Sequence, residues 1–305
     1  MIIYGLKGMI MMAKPILFTG SAVALVTPFA ASGVDALGLA HLIDFQLANG
    51  SDAIVVCGTT GEGSTLSREE QREVIEVTAS RVGKRVPVIA GAGSNNTRHA
   101  VELSIQAEEA GADAILSVAP YYNKTTQKGL YEHFKAIAAA VTIPVILYNV
   151  PSRTILNVAP ATIRELSLLE NIVAIKECNL EQVGDIVNLC GEDMTIYCGN
   201  DSQILPCLAL GGKGVISTMA NIIPGDVHEL VSRFLDGDLQ RSRELQLKTL
   251  NLVKALFIEE SPMPTKAALN LMGMLVGICR LPLVEMSGYS LSILKQELAA
   301  YGLIE

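Results

Sequence analysis

The chain has 305 residues, half of them hydrophobic, which is enough apolar material for one large α/β domain or for a barrel with an appendage. Its formal net charge is −8 and its 23 basic residues stand singly, so there is no basic stripe to neutralise phosphates, and neither nucleic acid nor a membrane is an expected partner. Charged residues make up 18%, below the roughly 25% of an average globular chain, which suggests surface covered in a homo-oligomer.

In chain order, residues 1–14 read as an N-terminal extension. Met1 to Met12 is apolar but carries Lys7, is shorter than the roughly 20 residues of a membrane span, and lacks a small-residue cleavage pattern. Met9, Met11 and Met12 stand just before Ala13-Lys14-Pro15, as in a translation start placed too far upstream or a disordered tail. From Gly20 onward, strand-like and helix-like stretches alternate. Apolar runs predict strands at Ala22–Val26, Ala53–Cys57, Val88–Ala90, Ala114–Val118, Val145–Tyr148, Val173–Lys176, Thr195–Cys198 and Gly214–Ser217.

Amphipathic runs lie between them. Leu130, Phe134, Ile137 and Val141 recur at helical spacing, as do Val183, Ile186, Val187 and Cys190. Ser67-Arg68-Glu69-Glu70 reads as a capping box that opens a helix ending near Gly83. Gly50, Gly83, Gly111, Gly191 and Gly211 each precede a strand by two to five residues, where a left-handed helix C-cap is wanted. Eight strands with following helices, and no G-x-G-x-x-G after a first strand, predict a (β/α)8 TIM barrel over residues 15–238 rather than an open doubly wound sheet. After about Leu239 only helical patterns remain, through Leu247, Leu250, Val253 and Leu256, then Thr265 to Met274, then Leu291 to Tyr301, so residues 239–305 form a C-terminal helical appendage. The two prolines of Ser261-Pro262-Met263-Pro264 interrupt it.

Six cysteines (57, 178, 190, 198, 207, 279) include no C-x-x-C pair, and four isolated histidines (41, 99, 133, 228) lie in helix-like segments. The expected reading is reduced buried thiols and surface or half-buried structural histidines, with no metal site and no cofactor.

Barrel chemistry belongs at the carboxyl ends of the strands. Those positions offer Thr59 and Thr60, Asn95, Tyr121 and Tyr122, Tyr148, Lys176, Gly199 and Ser217. An amine among apolar neighbours is poorly solvated as ammonium, its pKa falls, and it becomes a nucleophile toward carbonyls. Taken alone, a lysine at a strand end can equally snorkel to water, and a strand-end tyrosine such as Tyr148 is commonly an amphipathic core residue. Gly58-Thr59-Thr60-Gly61-Glu62-Gly63 fits either an anion-cradling loop or an ordinary glycine-rich turn.

Gly58-Thr59-Thr60-Gly61-Glu62, Tyr148-Asn149-Val150-Pro151-Ser152-Arg153-Thr154 and Ile175-Lys176-Glu177, in this order and spacing, resemble the dihydrodipicolinate synthases of the pyruvate-dependent class I aldolase superfamily. Phe18-Thr19-Gly20-Ser21, Ala119-Pro120-Tyr121-Tyr122-Asn123, Gly214-Val215-Ile216-Ser217 and Pro264-Thr265-Lys266 extend the likeness to the C-terminus.

The resemblance implies condensation of pyruvate with aspartate 4-semialdehyde in lysine and diaminopimelate biosynthesis, without cofactor or metal. It implies a Schiff base at Lys176 and a proton relay of Tyr148, Thr59 and Tyr122, the last lent by a neighbouring subunit. Thr60 and Ile216 would hold pyruvate, Gly199 would be a further substrate-binding position, and Arg153 would take the carboxylate of the second substrate. A cytoplasmic homotetramer built from two tight dimers is implied as well. N-acetylneuraminate lyases and other 2-keto-acid aldolases share the lysine, the tyrosine and the Gly-x-x-Gly-Glu loop, whereas the Thr59-Thr60 pair and Arg153 favour the synthases. A catalytically silent keto-acid-binding barrel would be expected to lack a relay residue, and none is missing. Where lysine-inhibited relatives bind their effector, this chain has Ser64, Arg68, Gln71, Asn95, His99 and Tyr121. Arg68 and Gln71 replace histidines there and His99 replaces a glutamate, which implies weak or absent inhibition because histidine offers no fixed negative charge.

Overall fold

A computed structural model describes residues 14–305, so all but the last residue of the extension read over residues 1–14 lies outside the described residues. Eight parallel strands close a barrel: β1 (Gly20–Ala24), β2 (Ala53–Val56), β3 (Val88–Gly91), β4 (Ala114–Val118), β5 (Val145–Asn149), β6 (Ile172–Glu177), β7 (Thr195–Cys198) and β8 (Gly214–Ser217), with β8 pairing back onto β1. The intervening helices are α1 (Ala36–Ala48), α2 (Arg68–Val82), α3 (Thr97–Glu109), α4 (Gln127–Ala138), α5 (Pro160–Leu166), α6 (Val183–Cys190), α7 (Ile204–Ala209) and α8 (Pro224–Leu235). Every expected strand forms, within two residues at each end.

The strands are apolar on both faces because the barrel buries both, yet alternation still sorts their side chains. Ala22, Val55, Ile89, Leu116, Ile146, Ala174 and Ile216 pack together inside, whereas Val23, Ile54, Val88, Ile115, Leu147, Ile175 and Val215 pack outward against the helices. Phe18, two residues before β1, enters the interior and stacks on Tyr197 with ring centroids 4.1 Å apart; its carbonyl accepts the Tyr197 hydroxyl at 2.9 Å.

The helix boundaries follow the cap chemistry. Ser67 accepts from the Glu70 amide while the Glu70 carboxylate accepts from the Ser67 amide, and α2 ends at Gly83 with φ +58°. His133 is more deeply buried than the expected surface or half-buried placement. It is buried between α3 and α4, its Nδ1 is 2.9 Å from the Thr97 hydroxyl, and burial pushes it down to about 4, so the ring is neutral.

Three further helices follow: α9 (Leu239–Leu256), α10 (Met263–Leu271) and α11 (Gly288–Tyr301). The buried face of α9 is Leu245, Thr249, Leu252, Val253 and Leu256, while Leu247 is exposed, because it lies about half a turn from Leu245. A short hairpin, Phe29–Ala30 with Gly33–Val34, goes unannounced in the sequence, since two-residue strands have no detectable period.

That hairpin joins the barrel to the C-terminal segment. The Phe29 ring has Lys266 Nζ and the Arg280 guanidinium each 4.1 Å from its centroid, and its amide donates to the Val276 carbonyl. Lys266 in turn pairs at 2.6 Å with Glu62, in the loop after β2, and the two side chains are only 2% and 1% exposed. The Glu62 carboxylate also accepts the Arg280 amide at 2.8 Å. Burial lowers the Lys266 pKa, and Glu62 pulls it back.

Removing one member of a buried pair leaves the other charge stranded, which costs about 3–5 kcal/mol, whereas replacing both with apolar residues is often close to neutral. Lys266→Met is therefore expected to lower unfolding free energy by about that amount, and Lys266→Met with Glu62→Leu to recover part of it, the Arg280 amide still lacking its acceptor. Urea denaturation of the three proteins checks this, and a double variant no more stable than the single one would refute it.

Candidate active site

Lys176 is the next-to-last residue of β6 and shares the parity of Ala174, so its side chain enters the barrel and is 6% exposed. Tyr148 stands beside it in register on β5, with Lys176 Nζ 4.5 Å from the phenol ring centroid. Burial pushes the lysine pKa down from its usual value, and the Asp201 carboxylate on the turn after β7 opposes that. Burial also raises the Tyr148 phenol above its ordinary value, and the nearby Thr59 hydroxyl opposes that. Burial thus favours the neutral amine and the protonated phenol.

Thr59, Tyr148 and Arg153 line one cavity of about 550 Å3 at the carboxyl ends of β2, β3 and β5, together with Ser64, Arg68, Gln71, His99 and Tyr121. Thr60 is buried beside it, its hydroxyl 3.4 Å from that of Thr218. The glycine-rich loop is a tight turn: the Glu62 and Gly63 amides donate to the Thr59 and Gly58 carbonyls, and a Cβ on Gly63 would collide with the Cys57 carbonyl. The amides of Glu62 and Gly63 are therefore engaged within the turn.

The other expected residues fall differently. Ile216 is buried within the inner core. Gly199 gives its amide to the Glu177 carbonyl at 2.8 Å, and a Cβ there would strike the Cys178 sulfur, so packing by itself accounts for the glycine. Tyr122 does not line the cavity; it is 93% exposed with φ +69°, a left-handed conformation uncommon for a tyrosine. Arg153 sits on the single turn Pro151–Thr154 after β5 and pairs with Glu260 at 3.3 Å.

Several residues around the amine carry no site role in the sequence reading. Cys178 follows β6 two residues after Lys176, a same-face spacing that could have revealed it; its thiol lies near Tyr148 and is pushed by burial to about 11. Asp201 is fully enclosed, burial raises its pKa, and it accepts the Thr218 and Met219 amides at 3.1 and 2.8 Å, which fixes the turn after β8. Its backbone carbonyl accepts from Gln246 of α9. Glu177 faces the other way, where Asn149, Gln182 and the Asn179 amide donate to a carboxylate that burial raises to about 7.

A family model, the dihydrodipicolinate synthetase family, matches residues 17–300. The chain is 63% identical over 293 residues to the 4-hydroxy-tetrahydrodipicolinate synthase of Acetivibrio thermocellus, covering 96% of this chain and all of that one. It is 53% identical to the same-named protein of Thermoanaerobacter pseudethanolicus, covering 94% and 98%. Among solved structures, dihydrodipicolinate synthase from Aquifex aeolicus superposes with a TM-score of 0.92 at 48% identity, covering 94% and 99%, and that from Thermotoga maritima with 0.93 at 41%, covering 95% and 100%.

A buried amine with a lowered pKa taxes stability. The neutral form is favoured in the fold, so its stabilising contribution is present above the unfolded lysine pKa of about 10.4 and is lost as pH falls through the folded value. Lys176→Met is therefore expected to melt at a higher temperature than the unaltered protein at pH 7, with the gap narrowing as pH approaches about 10. Differential scanning calorimetry across this range tests it, and a Lys176→Met protein that is less stable at pH 7 would contradict it.

Proposed function

The chain belongs to the dihydrodipicolinate synthetase family, and from that premise we propose that it condenses pyruvate with aspartate 4-semialdehyde, the reaction of a 4-hydroxy-tetrahydrodipicolinate synthase, through a Schiff base on Lys176. The observation that carries this reading is the buried Lys176 amine, with lowered pKa, over the Tyr148 ring at the end of adjacent strands.

In the proposed sequence the neutral amine adds to the pyruvate ketone, and the carbinolamine loses water to give an iminium. Tyr148, with Thr59 as relay, returns protons to the leaving hydroxyl and takes one from the methyl carbon to form the enamine. The enamine carbon attacks the aldehyde of the second substrate. Its amino group then adds to the imine carbon and displaces Lys176, which closes the ring and restores the free amine. Thr60 and Ile216 hold pyruvate, and Gly199 shapes the floor beside them. Arg153 takes the second carboxylate, a task that suits a guanidinium fork.

Tyr122 completes the relay from a neighbouring subunit of a cytoplasmic homotetramer. Its exposure and its left-handed backbone, which present the ring outward from its own barrel, support that role. Among the described residues no helix is long and apolar enough to cross a membrane. Lysine inhibits weakly or not at all. The Gln71 amide is spent on the Gly63 carbonyl at 2.8 Å, Arg68 brings a cation into the cavity where an amine effector would need an anion, and His99 offers no fixed negative charge.

Incubation with pyruvate and borohydride is expected to add a reduced pyruvyl mass on Lys176, located by peptide mass spectrometry; an unmodified Lys176 would overturn the mechanism. Tyr148→Phe should keep the fold and lose about 10²- to 10⁴-fold in kcat. In a coupled assay, sub-millimolar lysine should leave the rate unchanged, and a saturable fall would disprove the regulatory reading.

A further inference from the structure

Arg153 borders two spaces. One is the cavity shared with Thr59 and Tyr148; the other is a cleft of about 760 Å3 between the turn after β5 and the C-terminal segment, lined by Ser152, Phe257, Ile258, Glu260, Ser261 and Met263. Glu260 meets Arg153 across this cleft at 3.3 Å. Its neighbour Glu259 is committed elsewhere, accepting the Ser287 amide at 3.1 Å and the Ser287 hydroxyl at 2.6 Å. Ser261, 6% exposed, also lines the cleft, but its hydroxyl is turned into the protein. The cleft therefore presents a cation and an available anion joined by one ion pair.

We propose that Arg153 and Glu260 together form the recognition site for the α-amino-acid head group of the second substrate, with Glu260 as a specificity-determining residue for its ammonium group. This rests on the function proposed above. An ion pair open to solvent holds its partners weakly, so a ligand can enter it. The two side chains are 37% and 72% exposed, which places this pair in that class.

The selection follows from charge balance. An incoming carboxylate that takes Arg153 leaves the Glu260 carboxylate without its partner and beside a second negative charge. A zwitterionic head group resolves this, because its ammonium satisfies Glu260 while its carboxylate satisfies Arg153. An aldehyde acid of the same length without the amino group, 4-oxobutanoate, leaves the repulsion in place. Glu260 thus works as an attractive contact for one substrate and a repulsive one for its analogue. Pyruvate, bound deeper at Lys176, is indifferent to it.

The test is steady-state kinetics of Glu260→Gln and Glu260→Ala beside the unaltered protein, with aspartate 4-semialdehyde and 4-oxobutanoate as alternative aldehydes. Borohydride trapping of pyruvate on Lys176 serves as the control for an intact first half-reaction. The expected result is a fall of about tenfold or more in kcat/KM for aspartate 4-semialdehyde, carried by KM, with equal or improved use of 4-oxobutanoate, and with pyruvate KM and trapping unchanged. An unaltered preference between the two aldehydes, or equal losses with both, would overturn the proposal while leaving the proposed function standing. Failure of the unaltered protein to condense pyruvate with either aldehyde would instead remove the reading on which the proposal rests.

Discussion

An amine held out of water is the constraint on which the rest of this structure depends. Lysine is among the residues least often fully buried, because its ammonium loses far more solvation than dispersion contacts restore. Here the barrel supplies what such an amine needs. Alternation along β6 turns Lys176 inward with Ala174, register with β5 sets the Tyr148 ring beneath it, and Asp201 limits how far its pKa falls. The same desolvation that favours the neutral amine also favours the protonated phenol, so one physical cause acts on both groups.

The C-terminal region governs how these groups are held, although it contributes nothing to the barrel wall. It reaches three separate strand-end loops by polar links. Lys266 pairs with Glu62 after β2, Gln246 holds the Asp201 turn after β7, and Glu260 meets Arg153 after β5. These links differ in kind because they differ in exposure. The Glu62–Lys266 pair is sealed from solvent, so losing either member strands a charge, and the loop carrying Thr59 and Thr60 is fixed. The Arg153–Glu260 pair is open to water and weak, so it constrains its loop far less.

The glycine-rich loop illustrates how the two kinds of requirement meet. Its glycines let the chain double back on Cys57, and two of its amides are consumed in that turn. Thr59 then faces the cavity while Thr60 is buried toward Thr218. Adjacent residues of one type thus acquire different environments from a single turn.

Much of this was legible in the amino-acid order. Apolar runs marked all eight strands, glycines marked the approach to five of them, and once a barrel was inferred, strand ends put Thr59, Tyr148 and Lys176 among the candidates that the family resemblance then singled out. Those features are local, because period, cap and strand end are properties of a dozen consecutive residues. The Phe29 hairpin escaped because two residues carry no period, and the outward face of Leu247 because apolar spacing alone does not say which stripe a neighbour will cover. The partners of the site were not legible at all. Asp201 beside Lys176, Glu260 against Arg153 and Lys266 beneath Glu62 join segments 25, 107 and 204 positions apart by their numbers in the chain. The sequence by itself determined the barrel and the residue types at its rim. Tertiary structure alone decided which of them lose water and which charges they meet, because desolvation and Coulomb energy depend on distances summed over chain segments that only closure of the fold brings together.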